Sequence, residues 1–222
     1  MPNGGDFLKF LPYEILSGKD NMARDEALLE EAIKLGGEPV LRLYGWSEPT
    51  LSFGKNQEIF YHEKFPSVRR ITGGRTLLHH KELTYCFVCH QGFLQNGQNV
   101  QKSFLEISKA LMEGLLGLGI KTDFAPSQKL SVKSGYCMNL ATGADLSHNG
   151  QKLIGSAQAR KRGYILQHGA ILLDFDPVLL EKIFGEPVQN ITSIAHIAPD
   201  LATPEIVGNA IQSGFEKVFG VK

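Results

Sequence analysis

The sequence predicts an α+β domain, with mixed or antiparallel sheets flanked by helices, and three observations carry that expectation. Short apolar and β-branched runs separated by turn residues dominate the middle of the chain. Segments with helical apolar spacing lie before and after them, and no regular strand–helix–strand alternation recurs.

Taken in order, residues 21–35 (NMARDEALLEEAIKL) predict a helix, with Asp20 or Asn21 as its cap, acid in the early turns and Gly36-Gly37 at its end. Residues 40–44 and 50–53 are short apolar runs around Gly45-Trp-Ser-Glu-Pro49, which predicts two strands and a turn. Residues 68–72 predict a strand leading into Gly73-Gly74. In residues 82–90 the alternation puts Leu83, Tyr85 and Phe87 on one face and Thr84, Cys86 and Val88 on the other. From Val100 onward Phe104, Ile107, Leu111 and Leu115 keep helical spacing, so residues 98–117 form the longest predicted helix. Asn149-Gly150 is a strong hairpin signal between two strands, with Lys152 and Ile154 expected on one face of the return strand. Residues 164–175 predict a strand ending at Asp176-Pro177, which opens a short helix to Phe184, and Thr203-Pro204-Glu205 opens a terminal helix to Phe219.

With 222 residues the chain is expected to form a single catalytic domain, 1–222, large enough for its own core and without an accessory C-terminal domain. Lysine plus arginine and aspartate plus glutamate number 23 each, so neither nucleic acid nor an anionic membrane is the expected partner. The first residues lack a basic start followed by an apolar run, and no stretch approaches 18 apolar residues, so a cytoplasmic location is expected. Three cysteines in such a chain argue for reduced thiols.

The stretch Thr84-Tyr-Cys-Phe-Val-Cys-His-Gln91 contains C-x-x-C-H, the spacing of covalent haem attachment. Strand alternation argues against it, because Cys86 and Cys89, three apart, point to opposite faces. The same geometry disfavours a zinc pair, and no metal site is expected.

Four features ask for more than packing. Arg69-Arg-Ile-Thr-Gly-Gly-Arg75 places paired glycines between arginines; it reads either as a tight turn with solvated arginines or as a backbone cradle for a phosphate or carboxyl-derived group. Lys152 stands three residues before Gly155-Ser156-Ala157, either as a solvated strand lysine or as a functional one. His168-Gly169 interrupts an apolar strand, and Cys137 sits in a glycine- and serine-flanked segment with the character of an accessible loop.

These stretches, LRLYGWSEPTLSFGKNQ (41–57), RRITGGRTLLHHKELTY (69–85), GQKLIGSAQARKRGYILQHGAILL (150–173) and NMARDEALL (21–29), resemble in the same order the blocks of the biotin/lipoate protein ligase and octanoyltransferase superfamily. The resemblance covers most of residues 11–219 and is nearest to the ligase-like cysteine octanoyltransferases. It implies the biotinyl/lipoyl transferase fold, related to class II aminoacyl-tRNA synthetases. The implied activity moves an octanoyl group from acyl carrier protein to a lysine of a lipoyl domain through a cysteine thioester, in lipoate biosynthesis and with no cofactor. By the same resemblance Cys137 is the nucleophile, Lys152 lowers the thiol pKa and polarises the thioester carbonyl, and backbone N–H groups around Gly73-Gly74 or Gly155-Ser156 stabilise the oxyanion. Arg70, Thr72, Gly73, Gly74, Arg75, His79, Gly155, Ser156, Ala157, His168 and Gly169 are then expected along the substrate site, with His79 and His168 in structural roles first. The alternatives are an amidotransferase that moves octanoyl or lipoyl groups between lipoyl-domain proteins, an ATP- and Mg-dependent lipoate-protein ligase using Arg75 and the double glycine for the adenylate, and a catalytically silent binding protein.

Overall fold

The computed structural model describes residues 7–58, 64–125, 138 and 145–220. Its larger sheet contains β1 (Lys9–Phe10), β2 (Glu14–Leu16), β3 (Val40–Trp46), β7 (Glu82–His90), β8 (Asp123–Phe124), β9 (Leu146–His148), β10 (Gln151–Lys161) and β11 (Tyr164–Leu172). The strand order is β1-β3-β7-β11-β10-β9-β8, with β2 also paired to β3. A smaller sheet, in the order β5-β4-β6, contains β4 (Thr50–Phe53), β5 (Ser67–Arg69) and β6 (Leu77–His79). The helices are α1 (Gly18–Leu35), α2 (Val100–Gly117), α3 (Pro177–Phe184), α4 (Ile194–Ile197) and α5 (Pro204–Phe219). Parallel pairing is confined to β1 and β2 against β3 and to β5 against β4; the rest is antiparallel, as an α+β chain of mixed sheets requires.

The larger sheet is buried on both faces. On one, Leu41, Leu43, Leu83, Tyr85, Phe87, Ile165 and Ile171 pack against Ile107, Leu111 and Leu115 of α2 and Val207, Ile211 and Phe215 of α5. On the other, Tyr44, Cys86, Val88 and Leu166 pack against Leu28, Leu29 and Ala32 of α1, while Ala170 and Leu172 meet the smaller sheet and α3. The alternation predicted for β7 is therefore observed residue by residue. Cys86 lies in one core and Cys89 in the other, which removes both a shared porphyrin and a shared metal.

Three expectations are corrected. Helix α1 begins earlier, capped by Ser17, whose Oγ accepts from the Asp20 N–H, and it ends at Gly36 in the left-handed region. Asn21 is not a cap; it is buried and donates its side-chain amide to the carbonyls of Leu16 and Gly45. Strands β3 and β4 form on either side of a turn, as expected, and enter different sheets; β11 stops at Leu172, short of the expected residue 175, because the next two amides donate to the Lys81 carbonyl. The Asn149-Gly150 turn has positive φ at both residues, as its sequence predicts, and Asp176 and Thr203 cap α3 and α5. Among the described residues no helix is long and apolar enough to cross a membrane.

Helices α2 and α5 touch backbone to backbone. A Cβ on Gly214 would stand 2.3 Å from the Ala110 carbonyl oxygen and 2.4 Å from the Gly114 nitrogen. Gly214→Ala forces the helices apart and is expected to lower the free energy of unfolding by about 1–3 kcal/mol, read as a shifted urea midpoint.

Candidate active site

A narrow slot opens between the α1 face of the larger sheet and the smaller sheet. Register sets its floor: Gly155 faces Ala170 and Ala157 faces His168, so these four share one face of the β10–β11 pair. Tyr44 borders the same sheet face, and Gly73, Gly74, Leu77, His79 and Arg70 border the opposite side. Ser156 and Gly169, also predicted from sequence, complete the rim. Three predicted residues, Thr72, Arg75 and Lys152, do not border it. The Thr72 hydroxyl is buried against His168 Nε2 at 2.7 Å, and Arg75 contributes its carbonyl to Arg70.

The double-glycine loop is held from behind. Arg70 donates to the carbonyls of Ser52, Gly73 and Arg75 and to Ser52 Oγ, so its guanidinium is used up inside the loop. Gly74 has φ +100°, and a Cβ on Gly54 would lie 2.0 Å from the Gly74 carbonyl oxygen, so glycine is required at both places. Of the two reading options for this stretch, a solvated turn is excluded for Arg70 by its burial. The Gly73 and Gly74 N–H groups donate to no partner among the described residues, and both glycines line the slot.

Lys152 is buried, with its Nζ 2.9 Å from Asp145 Oδ2, and the two side chains are 2 % and 3 % exposed. Its position corrects the predicted face. Between Lys152 and Ile154 the pairing with β9 shifts by one residue, a bulge at Leu153. Leu153 and Ile154 both enter the α2–α5 core, and Lys152 is turned to the Gly155 face instead. A Cβ on Gly155 would stand 2.8 Å from Met138 Sδ, 3.1 Å from Lys152 Cε and 3.4 Å from its Nζ, so glycine leaves room for the ammonium at this end of the floor. The segment after α3 grips the lysine's own backbone: the Lys152 N–H donates to the Asn190 carbonyl, and the Thr192 N–H donates to that of Lys152. Asp145 was not singled out from sequence. The signal available was only its place at the start of the hairpin that returns as β10.

The other end of the floor is also polar. Asp25 Oδ1 accepts from Arg42 at 2.8 Å, and its Oδ2 accepts from the Tyr44 hydroxyl at 2.9 Å and from His168 Nδ1 at 3.0 Å. Burial and the neighbouring Asp25 carboxylate push the Tyr44 phenol well above its ordinary value, so it remains a donor. His79 stacks on Trp46 and bridges Glu82 and Ser52. Burial lowers its pKa below the ordinary 6.5, against the raising effect of Glu82. A neutral imidazole that donates Nδ1–H to Glu82 accepts at Nε2, so the Ser52 hydroxyl donates to it while accepting from Arg70. Each histidine thus bridges two neighbouring side chains as a hydrogen-bonded strut.

Cys137 lies outside the described residues. Its chain neighbour Met138 is described and buried beside the Lys152 end of the floor. Burial raises the pKa of Cys86 and of Cys89, so both remain thiols and neither is a nucleophile.

Residues 17–216 match the lipoyl protein ligase A/B catalytic domain. The octanoyltransferase LipM of Carboxydothermus hydrogenoformans is 43 % identical over 187 residues, covering 79 % of this chain and 67 % of that protein. The octanoyltransferase LipM of Staphylococcus aureus is 39 % identical over 229 residues, covering 91 % and 83 %. Among solved structures, lipoate-protein ligase A bound with ATP superposes with a TM-score of 0.77 at 21 % identity, over 97 % of this chain and 85 % of the ligase. The fold is that of the lipoyl transferases and ligases. The chain belongs to the lipoyl protein ligase A/B catalytic domain family.

Two outcomes are expected of the struts. Asp25→Ala leaves Arg42 buried without its carboxylate and is expected to cost about 3–5 kcal/mol in denaturant unfolding. For His79, the unfolded chain binds a proton below 6.5 that the native state resists, so its contribution is complete above 6.5 and is lost as the pH falls through the lowered native value. The thermal midpoint of His79→Gln should therefore fall less on acidification below about 6.5 than that of the parent protein.

Proposed function

We propose that this chain, an octanoyltransferase of lipoate biosynthesis, works through an acyl-enzyme on Cys137 with Lys152 as its electrostatic partner. The observation that carries the reading is the buried Lys152, turned by a bulge to the face of β10 that carries Gly155, behind the slot floor, and packed near Met138, the residue that follows Cys137 in the chain.

In the first step the Cys137 sulfur attacks the carbonyl of an octanoyl thioester carried by acyl carrier protein. The carrier's sulfur leaves and takes up the proton that the cysteine released. In the second, the ε-amine of a lipoyl-domain lysine attacks the new thioester, the amide forms, and the cysteine recovers a proton as the amine loses one. An ammonium at Lys152 favours the thiolate and stabilises the oxyanion of both steps. The Gly73 and Gly74 N–H groups supply further donors. The Ser156 N–H is already engaged by Asp145 Oδ1 at 3.3 Å, so the glycine loop is the better oxyanion site of the two considered from sequence.

The apolar walls suit an alkyl tail, each buried methylene contributing about 0.8 kcal/mol. Tyr44, His79 and His168, each tied to a carboxylate or a hydroxyl, bound the slot beyond Ala157. No cofactor enters the scheme.

Incubation with octanoyl-acyl carrier protein in the absence of ATP is expected to add one octanoyl mass, removed by hydroxylamine and absent from Cys137→Ser. Acylation of a lipoyl domain only when free octanoate and ATP are supplied would overturn the thioester route in favour of adenylation.

A further inference from the structure

We propose that Asp145 is a positioning residue for this transfer, holding Lys152 as an aimed ammonium behind the slot floor. The inference rests on the acyl-enzyme reading above. Its starting point is an electrostatic difficulty. A lysine with 2 % of its side chain exposed has given up the water that would support its charge. The Asp145 carboxylate 2.9 Å away stands in that water's place.

The pair is also fixed in direction, not merely in contact. Asp145 spends one oxygen on Lys152 and the other on the Ser156 N–H, and its carbonyl accepts from the Ala125 N–H at 2.8 Å. Lys152 is anchored through its own N–H and C=O to Asn190 and Thr192. With both main chains pinned, the Nζ lies on the Gly155 face, 3.4 Å from where a Cβ on that glycine would stand and beside Met138. Of the titratable groups on the strands around this pair, Tyr85 of β7 and His168 of β11 are engaged elsewhere. Tyr85 is held as a neutral phenol by burial and bonded to Ser156 Oγ and Gln167; His168 is engaged by Asp25 and Thr72. Asp145 is thus the carboxylate that these elements direct at the ammonium.

The test compares acyl-enzyme formation by intact mass across pH in the full chain and in Asp145→Asn. The parent rate is expected to rise from about pH 6 to about pH 8 as the thiol ionises. Asp145→Asn is expected to be slower on the order of a hundred-fold at the upper end and to recover on acidification, because its unsupported lysine regains a proton there. Asp145→Ala supplied with formate is expected to regain rate in a saturable manner, which also covers a poorly folding Asn variant. A parent-like rate and pH slope in Asp145→Asn, or a uniform loss at every pH with no formate rescue, would overturn the proposal. If the parent itself forms no hydroxylamine-labile adduct, the acyl-enzyme reading fails, and the assignment of Asp145 falls with it.

Discussion

Removing a lysine ammonium from water costs several kcal/mol unless a partner compensates, and this fold is arranged around that compensation. The Lys152–Asp145 pair needs a bulge to turn the lysine across the sheet, a glycine to leave it space, and a neighbouring segment to hold its backbone. Each of these is a local departure from regular strand geometry. Together they occupy a stretch of β10 where an ordinary antiparallel strand would have sent Lys152 into the α2–α5 core.

The opposite end of the slot follows the same logic with a different carboxylate. Asp25 projects from the middle of α1 and joins Arg42, Tyr44 and His168, so a helix, two strands and the glycine-loop threonine share one buried hydrogen-bonded cluster. Glu82, His79, Ser52 and Arg70 form a second chain that ends on the carbonyls of the same loop. Packing of α1 and shape of the loop are therefore coupled through polar contacts rather than through apolar area alone. Such clusters are stiff when complete and expensive when a member is missing.

Much of this architecture is written in local pattern. The period-two alternation of β7 assigns its cysteines to different cores, Asn149-Gly150 gives the hairpin, and Asp176-Pro177 and Thr203-Pro204 give helix starts. The glycines of the slot were likewise legible once the four sequence blocks were read together, whereas Lys152 stood open between a solvated and a functional lysine. What was hidden is non-local. An aspartate in an amphipathic helix reads as solvated until it is known that Arg42 and His168 meet it, 17 and 143 residues away. Asp145 was hidden by the bulge, because strict alternation gives Lys152 the wrong face. The helix start was misplaced because Ser17, Asp20 and Asn21 are all capable caps, and only tertiary bonding to Gly45 commits Asn21 to the interior.

The floor between the two polar ends is made of Gly155, Ala157 and Ala170, residues with at most one methyl group each. Under the acyl-transfer reading, such a surface acts as a graduated ruler whose divisions are single carbons. A lineage that exchanged one of these alanines for a bulkier aliphatic residue would trim the fatty chain it accepts in small steps, leaving the charged pair untouched. Substrate length and chemical competence can then drift independently in evolution, because different side chains of the same two strands encode them.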